Sequence, residues 1–118
     1  MGIRSDVALA AKFEVVEKVN DYLVSKGFKT LQEDCEKFLE EKNSFIFVWY
    51  DIKWHSEHYP ELEALYEALE LVNSADYLLI VATPEYPSET GDDRGEWHNN
   101  PWYLHKYVTC TVEFSNPL

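Results

Sequence analysis

FIFVWYDIKW, residues 45–54, is the stretch from which the fold can be read. Taken as an extended strand, Phe45, Phe47, Trp49, Asp51 and Lys53 point one way, and Ile46, Val48, Tyr50, Ile52 and Trp54 the other. Both faces are apolar or aromatic over the first six residues, which predicts a central strand covered on both sides. One face then turns polar at Asp51 and Lys53, as at a strand leaving the core.

Upstream, residues 3–11 alternate, with Ile3, Ser5, Val7, Leu9 and Ala11 on one side and Arg4, Asp6, Ala8 and Ala10 on the other. This predicts a first strand. A helix from Val7 is the competing reading, because alanine is a poor strand former. Residues 13–26 carry a helical stripe of Val15, Val16, Val19, Tyr22, Leu23 and Lys26 that stops at Gly27. Residues 30–42 read two ways. Thr30 and Glu33 form a capping box on paper, followed by Leu31, Cys35, Phe38 and Leu39 at helical spacing. The other reading starts a strand near Cys35, turns over Glu41–Ser44 and pairs back on the 45–54 strand.

Downstream, Pro60 suits a first helical turn and Glu61 and Glu63 suit its positive end. Leu62, Leu65, Tyr66, Leu69 and Val72 continue that helix, whose outer face carries Glu63, Glu67 and Glu70 with no lysine to pair with them. Residues 76–83 read as an interior strand, residues 85–102 as a long Gly-, Pro- and acid-rich loop, and residues 103–114 as one last strand with a wet face. The expected architecture is a single α+β domain over 1–118. It has a mixed or antiparallel sheet of four to five strands, with two or three helices on one face. If residues 35–41 are a strand, the order is the ferredoxin-like β-α-β-β-α-β with an extra C-terminal strand.

Of 118 residues, 22 are acidic and 10 basic, for a formal charge of −12. The excess lies beyond residue 30, where five basic side chains face 18 acidic ones. Such a field repels nucleic acid and anionic membranes and favours basic partners, and it also simply keeps a protein soluble. Cys35 and Cys110 are too few for a disulfide framework. No signal peptide and no membrane helix is expected, so a reducing cytoplasm is the default.

No motif for chemistry stands out. His55 and His58 flank Glu57, with His98 and His105 downstream, but the spacing is not that of a zinc helix, and no metal or cofactor is expected. Nucleophile elbows and phosphate loops are absent. The remaining candidate is the acidic and aromatic surface. Glu61, Glu63, Glu67 and Glu70 on the helix join Glu85, Glu89, Asp92, Asp93 and Glu96 in the loop, where Trp97 and Trp102 are the expected interface anchors. Carboxylates at helical spacing imitate a row of phosphates; the plainer reading is a solvated face.

The segments Ile3-Arg4-Ser5-Asp6-Val7-Ala8-Leu9 and Trp49-x-x-x-Lys53-Trp54, followed by Asp76-Tyr77-Leu78, resemble small acidic accessory proteins of tailed bacteriophages. The resemblance implies an origin in an infected bacterial cytoplasm and assigns no residue a role. With the charge, it gives the leading expectation: a non-enzymatic protein that inhibits a basic host or anti-phage defence protein, of anti-CRISPR or anti-restriction type, as a nucleic-acid mimic. Two alternatives stand beside it. One is a small enzyme or ligand-binding protein using the 85–103 loop, and the other a self-associating module with a sheet edge to manage.

Overall fold

The structure is a computed structural model describing residues 4–41, 43–54, 59–83, 93–102, 104–106 and 112–113, with backbone alone for 105–106 and 112–113. The elements are β1 (Ser5–Lys12), α1 (Phe13–Ser25), α2 (Leu31–Asp34), β2 (Lys37–Glu41), β3 (Ser44–Ile52), α3 (Pro60–Glu70), β4 (Tyr77–Ala82), β5 (Arg94–Gly95), β6 (His105–Lys106) and β7 (Val112–Glu113). Five strands form one antiparallel sheet in the order β2-β3-β1-β4-β5. Its first four follow the ferredoxin-like split β-α-β order, and β5 adds an edge.

Both readings of residues 30–42 are realised in turn. The Thr30/Glu33 capping box closes, but around a single helical turn, α2. The chain then extends into β2 and returns through Asn43, at φ 64°, to pair as a hairpin with β3. Helix α1 ends in a Schellman closure, with Phe28 N–H on the Leu23 carbonyl and Gly27 N–H on that of Val24. Gly27 sits there at φ 86°.

The middle strand is β1 rather than β3, although both are interior. Val7, Leu9 and Ala11 face the helices together with Phe47, Trp49, Leu79 and Val81, against Val16, Val19, Leu65 and Leu69. Ala8 and Ala10 face the opposite side with Ile46, Val48, Leu78 and Ile80, under Trp102 and Leu104. The alanines that weakened the strand reading therefore have a packing reason: they leave room for an indole.

The last strand expected over 103–114 is instead two short strands. β6 and β7 pair antiparallel with each other, His105 opposite Glu113. Alternation is the same along one long strand and along two arms of a hairpin, and YVTCT between them offers no turn residue. This ribbon lies against β1 and β4 on the face away from the helices. One edge of the main sheet is β2, where Phe38 is 44% exposed.

Strict alternation also fails within β3. Ser5 pairs with Ile52 but Val7 with Trp49, so β3 carries one extra residue opposite Asp6. Asp51 takes up the bulge at φ 50°; its N–H is bound by the Asp6 carboxylate at 2.9 Å and its carbonyl by Arg4 at 3.1 Å. Trp49 and Trp54, expected on opposite faces, thereby come to the same one, with ring centres 5.3 Å apart.

Candidate functional site

The helical layer is built by α1 and α3, packed side by side over the sheet through Val15, Val16, Val19, Leu23, Leu62, Leu65 and Leu69. The stripe that buries these residues necessarily turns the others outward. The two helices hold Glu14, Glu17 and Asp21 on α1 and Glu61, Glu63, Glu67 and Glu70 on α3, against one basic residue, Lys18. All but Glu61 of these carboxylates are exposed, and among the described residues none of the seven forms an ion pair. The Tyr22 hydroxyl bridges the helices by donating to Glu67 at 2.7 Å. That bond, then desolvation and the charges of Glu67 and Glu63, raise the Tyr22 pKa above the ordinary tyrosine value.

This arrangement works against the stability of α3. Glu67 lies one turn from both Glu63 and Glu70, and like charges at that spacing repel. Glu70 closes a helix whose last turn has no basic residue, so it sits at the negative end of the helix dipole. Arg94, with its guanidinium 5.0 Å from the Tyr66 ring, is the cation that approaches this end. Tyr77 senses both charges: burial raises its pKa, Arg94 lowers it and Glu70 raises it further.

The expected site residues divide into three groups. Glu63, Glu67 and Glu70 share the exposed face, and Glu61 stands half-buried at its N-terminal end. Asp93 and Glu96 do not extend that row as free charges. The Asp93 carboxylate accepts the Val81 N–H at 2.8 Å, and Glu96 is tied to Ser74 through side chain and backbone. Glu85, Glu89 and Asp92 lie outside the described residues. Trp102 is no interface anchor: it is fully buried, with its indole N–H on Ser44 Oγ at 3.1 Å. Buried Asn100 holds it there, accepting the backbone N–H groups of Trp102 and Leu104. Trp97 is half-buried under the Lys12 ammonium, 5.6 Å from its ring centre, and Lys12 also pairs with Asp76 at 2.9 Å.

Compared with known proteins, the chain matches no family model, no curated protein and no solved structure. The site is therefore read from its own chemistry. Among the described residues no three His, Cys, Asp or Glu side chains gather to hold a metal ion. His98 is exposed, while His55 and His58 lie outside the described residues. Cys35 is a free thiol whose pKa is raised by burial and by the neighbouring Asp34, which makes it a poor nucleophile. No described helix is long and apolar enough to cross a membrane.

One concavity went unread in the sequence. A pocket of about 360 Å³ opens between the end of α1, the α2 turn and the start of α3. Its walls are Leu23, Phe28, Leu31, Leu62 and Leu65, and Trp49 and Trp54 contribute to its lining. The bulge at Asp51 is what brings both indoles there, and alternation alone gave no signal of it.

Proposed function

We propose that this chain is a non-enzymatic binding protein whose acidic helical layer docks a basic protein. Following the resemblance to phage accessory proteins, that partner is a host or anti-phage defence protein with a nucleic-acid-binding groove, met in the bacterial cytoplasm. The observation that carries the reading is the exposed set Glu63, Glu67 and Glu70, without an ion pair among the described residues, joined by Glu14, Glu17 and Asp21 on the adjacent helix. Charges held at a cost to their own helix, with no internal cation to pair with, have their favourable interaction outside the chain. A convex row of carboxylates suits a cationic groove, and steering by such a field is long-ranged at low salt.

The test is capture from phage-infected bacterial lysate, with washes at low and at high salt. The expected result is a basic nucleic-acid-binding protein that is lost at high salt. It should also be lost from the triple charge reversal Glu63→Lys, Glu67→Lys, Glu70→Lys. A partner whose binding responds neither to salt nor to the reversal would overturn the proposal.

A further inference from the structure

The pocket beside α2 has a chemistry of its own. Its interior asks for no hydrogen bonds. The Trp49 indole N–H is given to Asp34 Oδ2 at 3.2 Å and that of Trp54 to the Tyr66 hydroxyl at 2.9 Å, so both rings are already satisfied. The Thr30 hydroxyl is spent on the α2 cap, where it bonds to Glu33. Lys29 also faces Glu33, whose carboxyl is held below the usual range by the Thr30 hydrogen bonds first and by the Lys29 charge last. Three charged side chains then line the wall among the described residues, the carboxylates of Asp34 and Glu61 and the exposed ammonium of Lys29, which leaves the lining with one net negative charge. Among the described residues Glu61 has no ion-pair or side-chain hydrogen-bond partner, and Asp34 has none beyond the single indole N–H.

These two carboxylates are not placed at random on the rim. Asp34, Trp49, Glu61 and Leu62 line this pocket and also the neighbouring groove, so they stand on the divide between the two. Beyond the divide the groove holds Arg4, Asp51, Lys53 and Tyr59. Arg4 there is turned to the Asp51 carbonyl. An occupant of the pocket thus meets hydrocarbon and indole carbon within, two carboxylates on the divide, Lys29 at the α2 side, and the cations Arg4 and Lys53 further out.

We propose that this pocket binds a small organic monocation: an apolar body of roughly the size the pocket encloses, bearing one primary ammonium group. The apolar end lies among Phe28, Leu31, Trp54 and Leu65, and the ammonium sits between Asp34 and Glu61. Charge complementarity selects the cation over a neutral or anionic molecule of equal length. Arg4 and Lys53 across the divide disfavour a second positive charge. The site needs no protein partner and does not depend on the acidic helical face, so the two proposals fail separately.

The probes are hexylammonium, 1-hexanol and hexanoate at constant ionic strength. The readout is the indole N–H resonances of isotope-labelled protein, with Trp49 and Trp54 assigned from the Trp49→Phe and Trp54→Phe spectra. Hexylammonium is expected to shift both resonances saturably, with hexanol at least tenfold weaker and hexanoate weaker again. Glu61→Gln and Asp34→Asn, each of which keeps the local fold, should weaken hexylammonium several-fold and leave hexanol unchanged. No saturable shift at Trp49 and Trp54 would overturn the proposal. So would equal binding of the three probes, or an unchanged hexylammonium affinity in both carboxylate variants.

Discussion

Glu70→Lys should make the protein more stable. Glu70 is the last residue of α3, exposed, and one turn from Glu67. Removing a negative charge from the last turn is worth about 0.3–1 kcal/mol, and placing a positive one there a similar amount. Turning the Glu67···Glu70 repulsion into an attraction adds a few tenths. Arg94, close enough for Tyr77 to sense it together with Glu70, already offsets part of this charge and trims the gain. The net expectation is about 1 kcal/mol at low salt, or roughly 4 °C in Tm for a chain of this length. Because the effect is one of exposed charges, it should fall to a few tenths in 1 M NaCl, where the screening length is about 3 Å. Glu70→Gln should give about half. Urea unfolding of the three proteins at two salt concentrations measures all of this. If Glu70→Lys is no more stable than the parent at low salt, or its gain survives high salt, Glu70 is not an uncompensated charge. The argument that the helical face is held for an outside partner then loses its footing.

The other predictions are structural. Trp102→Ala should cost about 3–5 kcal/mol, because it empties the space above Ala8 and Ala10 and removes the indole hydrogen bond to Ser44, whereas Trp97→Ala should cost much less; chemical denaturation separates them. Gly27→Ala should lose about 1–2 kcal/mol from left-handed strain alone, since an added Cβ meets nothing within 4 Å. Gly95→Ala should do more damage: its φ is 88° and its Cβ would fall on the Tyr77 carbonyl, so β5 should detach and the Leu79 amide, on the β5 side of β4, lose hydrogen-exchange protection. The raised pKa of Tyr22 means that its hydroxyl contributes stability in full below the ordinary value of 10.0 and loses it as pH rises through the folded-state value. Tyr22→Phe should therefore show a shallower fall in stability than the parent above pH 10.0, followed by alkaline unfolding.

Much of this fold could be read from local pattern, and the failures share one cause. The Val15-to-Leu23 stripe, the Pro60 start and the 76–83 apolar run each announce their element, because their periods persist over several residues. β1 was legible as a strand but not as the middle one, since its alanines only make sense beside Trp102, far along the chain. The capping box at Thr30 is real, yet a cap sets where a helix starts and says nothing of its length. Trp49 and Trp54 were assigned to opposite faces because a period of two was counted through Asp51. One bulged residue inverts that count, and with it the only route to the pocket from sequence. For the same reason Trp102 looked like a loop anchor: nothing local distinguishes an indole that folds back from one that waits for a partner.

The position of β1 bears on how the chain is made. Within this sheet it precedes every other strand, yet it is not paired on both sides until β4 has been made, because it lies between β3 and β4. Its Ala11 waits for Phe45, and its Asp6 for Ala82. No pair of neighbouring strands that includes β1 is local, so the sheet cannot grow outward from its first strand. The β2–β3 hairpin is the earliest pair of consecutive strands among the described residues, and it offers an early template. Until β4 is synthesised, β1 presents an uncharged run, Val7–Ala11, with an unpaired edge to whatever lies nearby. A chain truncated before residue 77 should therefore aggregate rather than form a smaller sheet. The excess of carboxylates gives such chains like charges, which opposes their association during that interval.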